Sequence, residues 1–194
     1  GTWYRGAQPL LRQTHTLTDI FGRRPPRDGM VWFIARIQSG FTPGYYRLEI
    51  AVNDRVVTRG QFAVEPASAK PTMTDLSFAA EVGGEAGAFR YPVVTSATYP
   101  ESTTRLYAVF DHFNMKPRTV WGWRLHREGV VIGEDMALNW TSGPSGSFAL
   151  PLTVPRRAGL YDLDLFIDGE WIASQSLAIG DSAPPNSRLI EADN

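Results

Sequence analysis

The sequence "GYYRLEIAVNDRVVTRGQFAV" (residues 44–64) recurs as "GLYDLDLFIDGEWIASQSLAI" at residues 159–179, and every matched pair is separated by the same 115 positions. In both stretches apolar and polar side chains alternate on either side of a two-residue turn, Asn53-Asp54 or Asp168-Gly169. These residue types adopt the positive φ that a type I′ turn requires. Each stretch therefore predicts a β-hairpin with one buried face. The side chains expected on the two buried faces are Tyr46, Leu48, Ile50 and Val52, and Tyr161, Leu163, Leu165 and Ile167.

Short alternating segments also precede the second hairpin, and 14 Pro and 18 Gly interrupt the chain. No uninterrupted segment longer than about eight residues has helical periodicity. Strands are predicted at 76–82, 104–110, 120–126, 130–137 and 147–152. About seven strands within residues 75–180 match the size of an immunoglobulin-like β-sandwich. The chain is therefore predicted to be all-β.

The first copy of the repeat is shorter than the second. Extending the alignment backward places "TWYRG" (2–6) against "LHREG" (125–129), and "RDGMVWFI" (27–34) against "PSGSFALP" (144–151). The first copy then begins near the position of residue 124 in the second, and it lacks about three strands. The fold expected is a pair of tandem immunoglobulin-like β-sandwiches, the first incomplete at its N-terminus.

Four segments follow from this alignment. Residues 1–65 are predicted to form the C-terminal half of a sandwich, 66–74 a linker, 75–180 a complete sandwich, and 181–194 an extended tail or linker. Six apolar side chains on the first half would lack a cover, at a cost of about 1.5–3 kcal/mol each. We therefore expect another polypeptide to complete it, either an upstream precursor segment or a neighbouring subunit.

Composition excludes several classes of function. The net charge is −1, from 19 basic and 20 acidic residues without clusters, which argues against nucleic-acid and membrane-surface binding. The chain contains no Cys, so disulfides and thiolate chemistry are excluded. No apolar run reaches the ~18 residues that a membrane span needs. Because the first residue is not Met, we expect a fragment or a processed product.

Few residues suggest catalysis, and we predict no enzyme, no catalytic residue and no cofactor. Asp111-His112 is one acid beside one of only three His, and it is interpreted as a surface turn. Asp162, Asp164 and Asp168 share one side of a strand, but a straight strand spreads their oxygens too far apart for a calcium loop. No metal site is predicted.

The aromatic residues leave two interpretations open. Trp121 and Trp123 are two positions apart and share a strand face, while Trp140 and Trp171 lie near turns. A buried Trp is typical of an immunoglobulin-like core. Exposed, the same rings would stack on the apolar faces of a polysaccharide. The four Trp are the candidate sugar or partner contacts.

A family resemblance rests on "TTRLYAVFDHFNM", on "HREG" after a Trp-bearing strand, on "SGPSGSF" and on "AGLYDLDLFIDG". With these motifs, residues 98–180 resemble an immunoglobulin-like repeat of bacterial surface and secreted proteins, often in tandem and sometimes behind a secreted protease. The resemblance implies an extracellular or cell-surface protein. The expected function is a non-catalytic structural, adhesive or assembly module. The alternatives are the accessory region of a secreted hydrolase (a serine protease or glycosidase) and a carbohydrate-binding module.

Overall fold

The computed structural model describes residues 1–6, 8–23, 28, 30–31, 33–38, 40–84, 90–96 and 98–180. The chain divides into two compact units, Gly1–Glu65 and Pro66–Asn194. Almost all of the regular structure is β-strand, in mostly antiparallel sheets, so the predicted all-β class is confirmed. The predicted tail, residues 181–194, lies outside the described residues.

The first unit contains one four-stranded antiparallel sheet. Its strands lie in the order β2-β1-β3-β4, and the described residues between β2 and β3 include one short helix. The elements are β1 (Thr2–Arg5), β2 (Gln8–Arg12), α1 (Leu17–Phe21), β3 (Gly44–Val52) and β4 (Arg55–Val64). Thr16 caps α1, because its hydroxyl accepts a hydrogen bond from the Asp19 amide while the Asp19 carboxylate accepts one from the Thr16 amide.

The second unit contains ten described strands. They are β5 (Thr72–Ala79), β6 (Glu81–Gly83), β7 (Tyr91–Val94), β8 (Thr98–Tyr99), β9 (Arg105–Phe113), β10 (Val120–Arg127), β11 (Val130–Asn139), β12 (Gly146–Thr153), β13 (Gly159–Ile167) and β14 (Glu170–Ile179). A five-stranded sheet has the order β11-β10-β13-β14-β8, and a three-stranded sheet has the order β12-β9-β5. The β6-β7 pair is separate. Because β5 begins at Thr72, the predicted linker 66–74 includes the first three residues of a strand.

One hydrophobic core joins the five-stranded and three-stranded sheets of the second unit, giving a sandwich-like arrangement. The alternation predicted for β13 is confirmed: Tyr161, Leu163, Leu165 and Ile167 are all buried, and the side chains between them are half-buried. The three-stranded sheet contributes buried apolar side chains from each of its strands. They include Met73, Phe78, Leu106, Ala108, Phe110, Leu150 and Leu152.

The two repeated hairpins have the same structure. Tyr46 pairs with Phe62 as Tyr161 pairs with Leu177, and each register shifts at a bulge, after Ile50 in β3 and after Leu165 in β13. The turn residues also agree, since Asn53 and Asp54 have φ of 50° and 61°, and Asp168 and Gly169 have φ of 50° and 82°. The repeat in the sequence therefore corresponds to two hairpins with the same strand register and the same bulge.

The agreement extends to the neighbouring strands, with one correction to the predicted alignment. Arg5 lies opposite Tyr46, and Arg127 lies opposite Tyr161. Residues 2–6 therefore match residues 124–128, one position away from the alignment of "TWYRG" with "LHREG". A shift of one residue moves every side chain of a strand to the other face. The observed register places Trp3 on the same face as Leu48.

A tyrosine near the start of each hairpin is held in the same way. The Tyr46 hydroxyl donates to the Thr42 carbonyl at 2.8 Å, and the Tyr161 hydroxyl donates to the Arg157 carbonyl at 2.7 Å. Both acceptors lie four residues upstream of the tyrosine. Both rings are buried. These hydrogen bonds tie the segment that precedes each hairpin to the hairpin's first strand.

The two units differ between their second and third matched strands. In the second unit β12 follows β11 and precedes β13 along the chain, and it pairs with β9 in the three-stranded sheet. In the first unit the described residues between Arg12 and Gly44 include α1 and no strand. The alignment of residues 27–34 with residues 144–151 therefore gives no counterpart of β12 among the described residues. A strand there would need a β9-like neighbour to pair with, and the first unit has none in its described part.

The tyrosine hydrogen bonds give a prediction for both units. Replacing either hydroxyl (Tyr161→Phe or Tyr46→Phe) should lower the free energy of unfolding of its own unit by about 1 kcal/mol, because a part-buried intramolecular hydrogen bond is lost. Urea unfolding at 25 °C measures the loss. Tyr107→Phe is the matched control, because no hydrogen bond is seen for its hydroxyl in the described part of the chain. Wild-type stability in both variants would contradict an anchoring role.

Candidate functional site

The first sheet has one apolar face, which we call the inner face. Its residues share a side because they are cross-strand partners or alternate along a strand: Trp3 lies opposite Leu48 and Leu11, and Tyr46 lies opposite Phe62. The inner face comprises Trp3, Leu11, Tyr46, Leu48, Ile50, Val52, Phe62 and Val64. Charged side chains flank this set at its ends, with Arg5 opposite Gln8 and Arg55 opposite Val52.

Aromatic rings cover one end of the inner face. The Tyr46 and Phe62 rings stack with centroids 5.1 Å apart, and Phe41 packs edge-on against both at 5.1 and 5.6 Å. Trp3 meets Phe62 at 6.3 Å, also edge-on. Such geometries are favourable beyond the area they bury. The segment that leads into β3 therefore provides a local cover over Tyr46.

The cover ends before the tip of the hairpin. Tyr46 is 2% exposed, Leu48 and Ile50 are half-buried, and Val52 is 56% exposed. The prediction that all four are buried like their counterparts is thus correct for Tyr46 and wrong for the other three, since Leu48 and Ile50 are only half-buried and Val52 is exposed. Ile167, which occupies the position of Val52 in the second unit, is 5% exposed.

The same contrast holds on the return strand. Phe62 is 38% exposed, whereas its counterpart Leu177 is 1% exposed. Val57 is 57% exposed, whereas Ile172 at the same position packs against the second unit's core. The difference follows from the second layer: in the second unit the β12-β9-β5 sheet contributes to the core that buries these positions, and the described part of the first unit has no such sheet.

The other face of the first sheet carries the charged side chains. Arg47 is 7% exposed, and its guanidinium lies 4.5 Å from the centre of the Tyr4 ring. The Glu49 carboxylate lies 3.4 Å from Arg47 Nε and accepts a hydrogen bond from Arg59 Nε at 2.9 Å. This segregation leaves the middle of the inner face uncharged. The sheet is therefore polar on one side and apolar on the other.

The four candidate Trp do not form one surface. Trp121 and Trp140 are 5% and 3% exposed, and they pack together in the core at 5.8 Å. Trp140 also donates its indole hydrogen to the Gly143 carbonyl at 2.9 Å. Trp123 is partly buried against the same core. Trp121 and Trp140 therefore serve as packing residues.

Trp171 lies elsewhere, in a polar cluster on the outer face of the five-stranded sheet. It is 45% exposed, and its indole donates to Asp164 Oδ1 at 3.3 Å. The other oxygen of Asp164 lies 3.0 Å from His126 Nε2. His126 and Asp164 are 38 residues apart in the chain, so only the register of β10 against β13 could have indicated the pair.

Asp111 and His112 lie within β9, and the expected surface turn is wrong. They are 4% and 2% exposed. The His112 ring packs edge-on against Trp140 at 4.5 Å. Burial lowers the pKa of His112 to about 4, although a hydrogen bond with the Pro144 carbonyl opposes the shift. His112 is thus a neutral core residue near pH 7.

The three Asp of the second hairpin are each held by a donor. Asp162 pairs with the Ser176 hydroxyl, Asp164 pairs with His126 and Trp171, and Asp168 accepts from the Val120 amide at 3.3 Å. No group of three or more potential metal ligands occurs among the described residues. In that same part of the chain, no helix has the length and apolar character to cross a membrane.

Comparisons with known proteins do not identify the chain. No protein-family model matches it, and no curated protein matches it significantly. The two units of the chain can, however, be compared with each other, because their hairpins match in register. The second unit shows what covers this sheet, and the first shows the same sheet with part of its apolar face exposed.

The buried His112 gives a pH prediction. An unfolded chain would bind a proton near the ordinary histidine pKa of 6.5, whereas folded His112 binds one only near pH 4. The second unit should therefore lose stability as the pH falls from about 6.5 to 4, by up to about 3 kcal/mol. Unfolding followed by the fluorescence of the core Trp measures this loss.

His112→Gln is the control for this prediction, because it keeps a hydrogen-bond donor for the Pro144 carbonyl without the titrating ring. Its stability should depend less steeply on pH over this interval. Identical slopes in the variant and the wild type would show that His112 does not titrate as its burial implies.

Proposed function

We propose that this chain is a non-catalytic assembly module built from immunoglobulin-like β-sandwich repeats. One observation carries the proposal: the four strands β2-β1-β3-β4 repeat the arrangement and bulges of β11-β10-β13-β14, but only the second set has a second sheet over its apolar face in the described part of the chain. A repeated unit with an uncovered face suits association with other polypeptides. A fold alone does not define a function, and the proposed function is therefore assigned to the inner face of the first sheet.

Two features support the immunoglobulin-like assignment. Trp121 is buried between the sheets, as a core Trp is in that fold. Tyr161 bonds through its hydroxyl to a carbonyl four residues upstream, in the manner of the tyrosine corner near the start of a late strand. Tyr46 repeats this bond in the first unit. The incomplete first sandwich accounts for the exposure of Val52.

The non-catalytic part of the proposal rests on how the candidate groups are used. His112 packs against Trp140 in the core, where burial keeps the imidazole neutral. Asp162 and Asp168 are engaged by donors of their own unit. The contacts of these side chains are therefore made within the sandwich. The extracellular or cell-surface location is proposed from the family resemblance alone.

One observation favours a second candidate function. Trp171 is exposed beside the His126–Asp164 pair, on the outer face of the five-stranded sheet. An aromatic ring flanked by hydrogen-bonding groups is the kind of surface on which a sugar stacks. The alternative is therefore a carbohydrate-binding module, or an accessory region that brings a secreted hydrolase to its substrate.

Two assays test the proposed function. The purified chain should show no saturable turnover of ester, peptide or glycoside substrates, because His112 is buried in the core and the three Asp of the second hairpin are engaged by donors of their own unit. It should also show no retention on insoluble polysaccharides. Both assays are made on the wild type and on the variants His126→Ala, Trp171→Ala and Val130→Ala.

The variants separate the competing functions. Turnover that is lost in His126→Ala would show that the chain is an enzyme. Retention that is lost in Trp171→Ala and kept in Val130→Ala, which removes another exposed apolar side chain, would favour carbohydrate binding. Either result would overturn the assembly proposal.

A further inference from the structure

We propose that the inner face of the first sheet binds a β layer supplied by another polypeptide, which completes the first sandwich. The occupant is a segment that folds as an antiparallel sheet with apolar residues at alternate positions, as β12-β9-β5 does in the second unit. This inference rests on the proposed function and specifies the partner's chemistry.

The second unit provides the template. Its β13 side chains Leu163 and Leu165 are fully buried in a core that includes Leu106, Ala108 and Phe110 of β9. The first sheet repeats the strand order, the register and the bulges of β11-β10-β13-β14. Because the two sheets present their apolar side chains in the same arrangement, a layer like the β12-β9-β5 sheet fits the first unit.

The described part of the first unit does not supply this layer. Between Arg12 and Gly44 its only regular element is α1. Phe41 covers the end near Tyr46, and this cover does not reach the hairpin turn, since Val52 and Val57 remain exposed. The open part of the face is thus the end nearest the hairpin turn.

The chemistry of the face restricts what can bind. Its middle is uncharged, because Arg47, Glu49 and Arg59 lie on the opposite side. A single strand laid across the face would bury backbone groups without hydrogen bonds, which is costly. The occupant should therefore arrive as paired strands that satisfy their own backbone, packed about 10 Å above the sheet.

A second copy of this chain fits less well. In the second unit, the central strand of the covering sheet carries the small Ala108 between Leu106 and Phe110, so large and small side chains interdigitate. Two first sheets packed face to face would place large side chains such as Leu48 and Ile50 against each other. We therefore assign the face to a different polypeptide, and self-association is an outcome of the test.

The chain itself offers a probe for this face. In the observed register Gly1 occupies the position of Trp123, so a second copy of residues 66–122 placed ahead of Gly1 continues directly into the first sheet. It supplies the sequences of β5 and β9, two strands of the template layer. We call this protein the extended chain and the original the unextended chain.

A single cysteine reports the cover, because the chain contains no Cys. In the unextended chain, Val52→Cys should react with a thiol reagent nearly as fast as a free thiol, at a rate independent of protein concentration. In the extended chain the labelling should be slower by at least about tenfold, because the side chain then becomes accessible only on local opening.

Two control variants define the scale. Val56→Cys places the thiol on the opposite face, opposite Ala51, where the side chain is 37% exposed, and it should react rapidly in both chains. Ile167→Cys places it at the covered counterpart of Val52 and should react slowly in both. Slow labelling of Ile167→Cys also verifies that the second unit is folded.

Equal labelling of Val52→Cys in the two chains would overturn the proposal. So would protection in the unextended chain that grows with protein concentration, since it would assign the face to a second copy. Neither result depends on turnover or on polysaccharide retention. Failure of this inference is therefore distinguishable from failure of the proposed function.

Discussion

A β-sheet with one apolar face requires a second layer, and the organisation of this chain follows from that requirement. In the second unit the β12-β9-β5 sheet meets it, and the inward side chains of β13 are buried. In the first unit the aromatic rings around Tyr46 meet it at one end only. Burial along β3 therefore decreases from Tyr46 to Val52.

The charged and functional-looking groups are arranged around the same requirement. The face opposite the apolar one carries Arg47 and Glu49 in the first sheet, and His126 and Asp164 in the second. A titratable group that is buried in the core is held in its neutral form near pH 7, as His112 is because burial lowers its pKa to about 4. The apolar face of the first sheet is consequently the most distinctive surface of the described chain.

Much of the fold could be predicted from local patterns. The 115-residue repeat, the turn residues and the alternation of β13 follow from sequence spacing, because turn chemistry and period-two burial are local properties. The offset of "TWYRG" could not be predicted reliably, since it is set by the pairing of β1 with β3, which lies far along the chain. The absence of a strand among the described residues near 27–34 depends on a missing neighbour, which is a non-local property.

The candidate site was less predictable than the fold. Whether Trp121, Trp140 and His112 are buried depends on the second sheet, and alternation alone does not show which faces are covered. The His126–Asp164 pair requires the register of β10 against β13. The missing cover over the first sheet was expected from the shorter first copy, but the burial predicted for Val52 was wrong. Alternation along β3 does not show how far the local cover around Tyr46 extends.

The central claim is that the two sheets share their strand pairing but that only the second has a covering layer among the described residues. Amide hydrogen exchange of the intact chain tests this claim most directly. The account predicts that amides of β13 near Leu165 exchange only when the second unit unfolds. Amides of β3 near Ile50 should exchange at least about a hundredfold faster, through local opening of an uncovered sheet. Equal protection of the two strands would contradict the claim that the first sheet lacks its second layer.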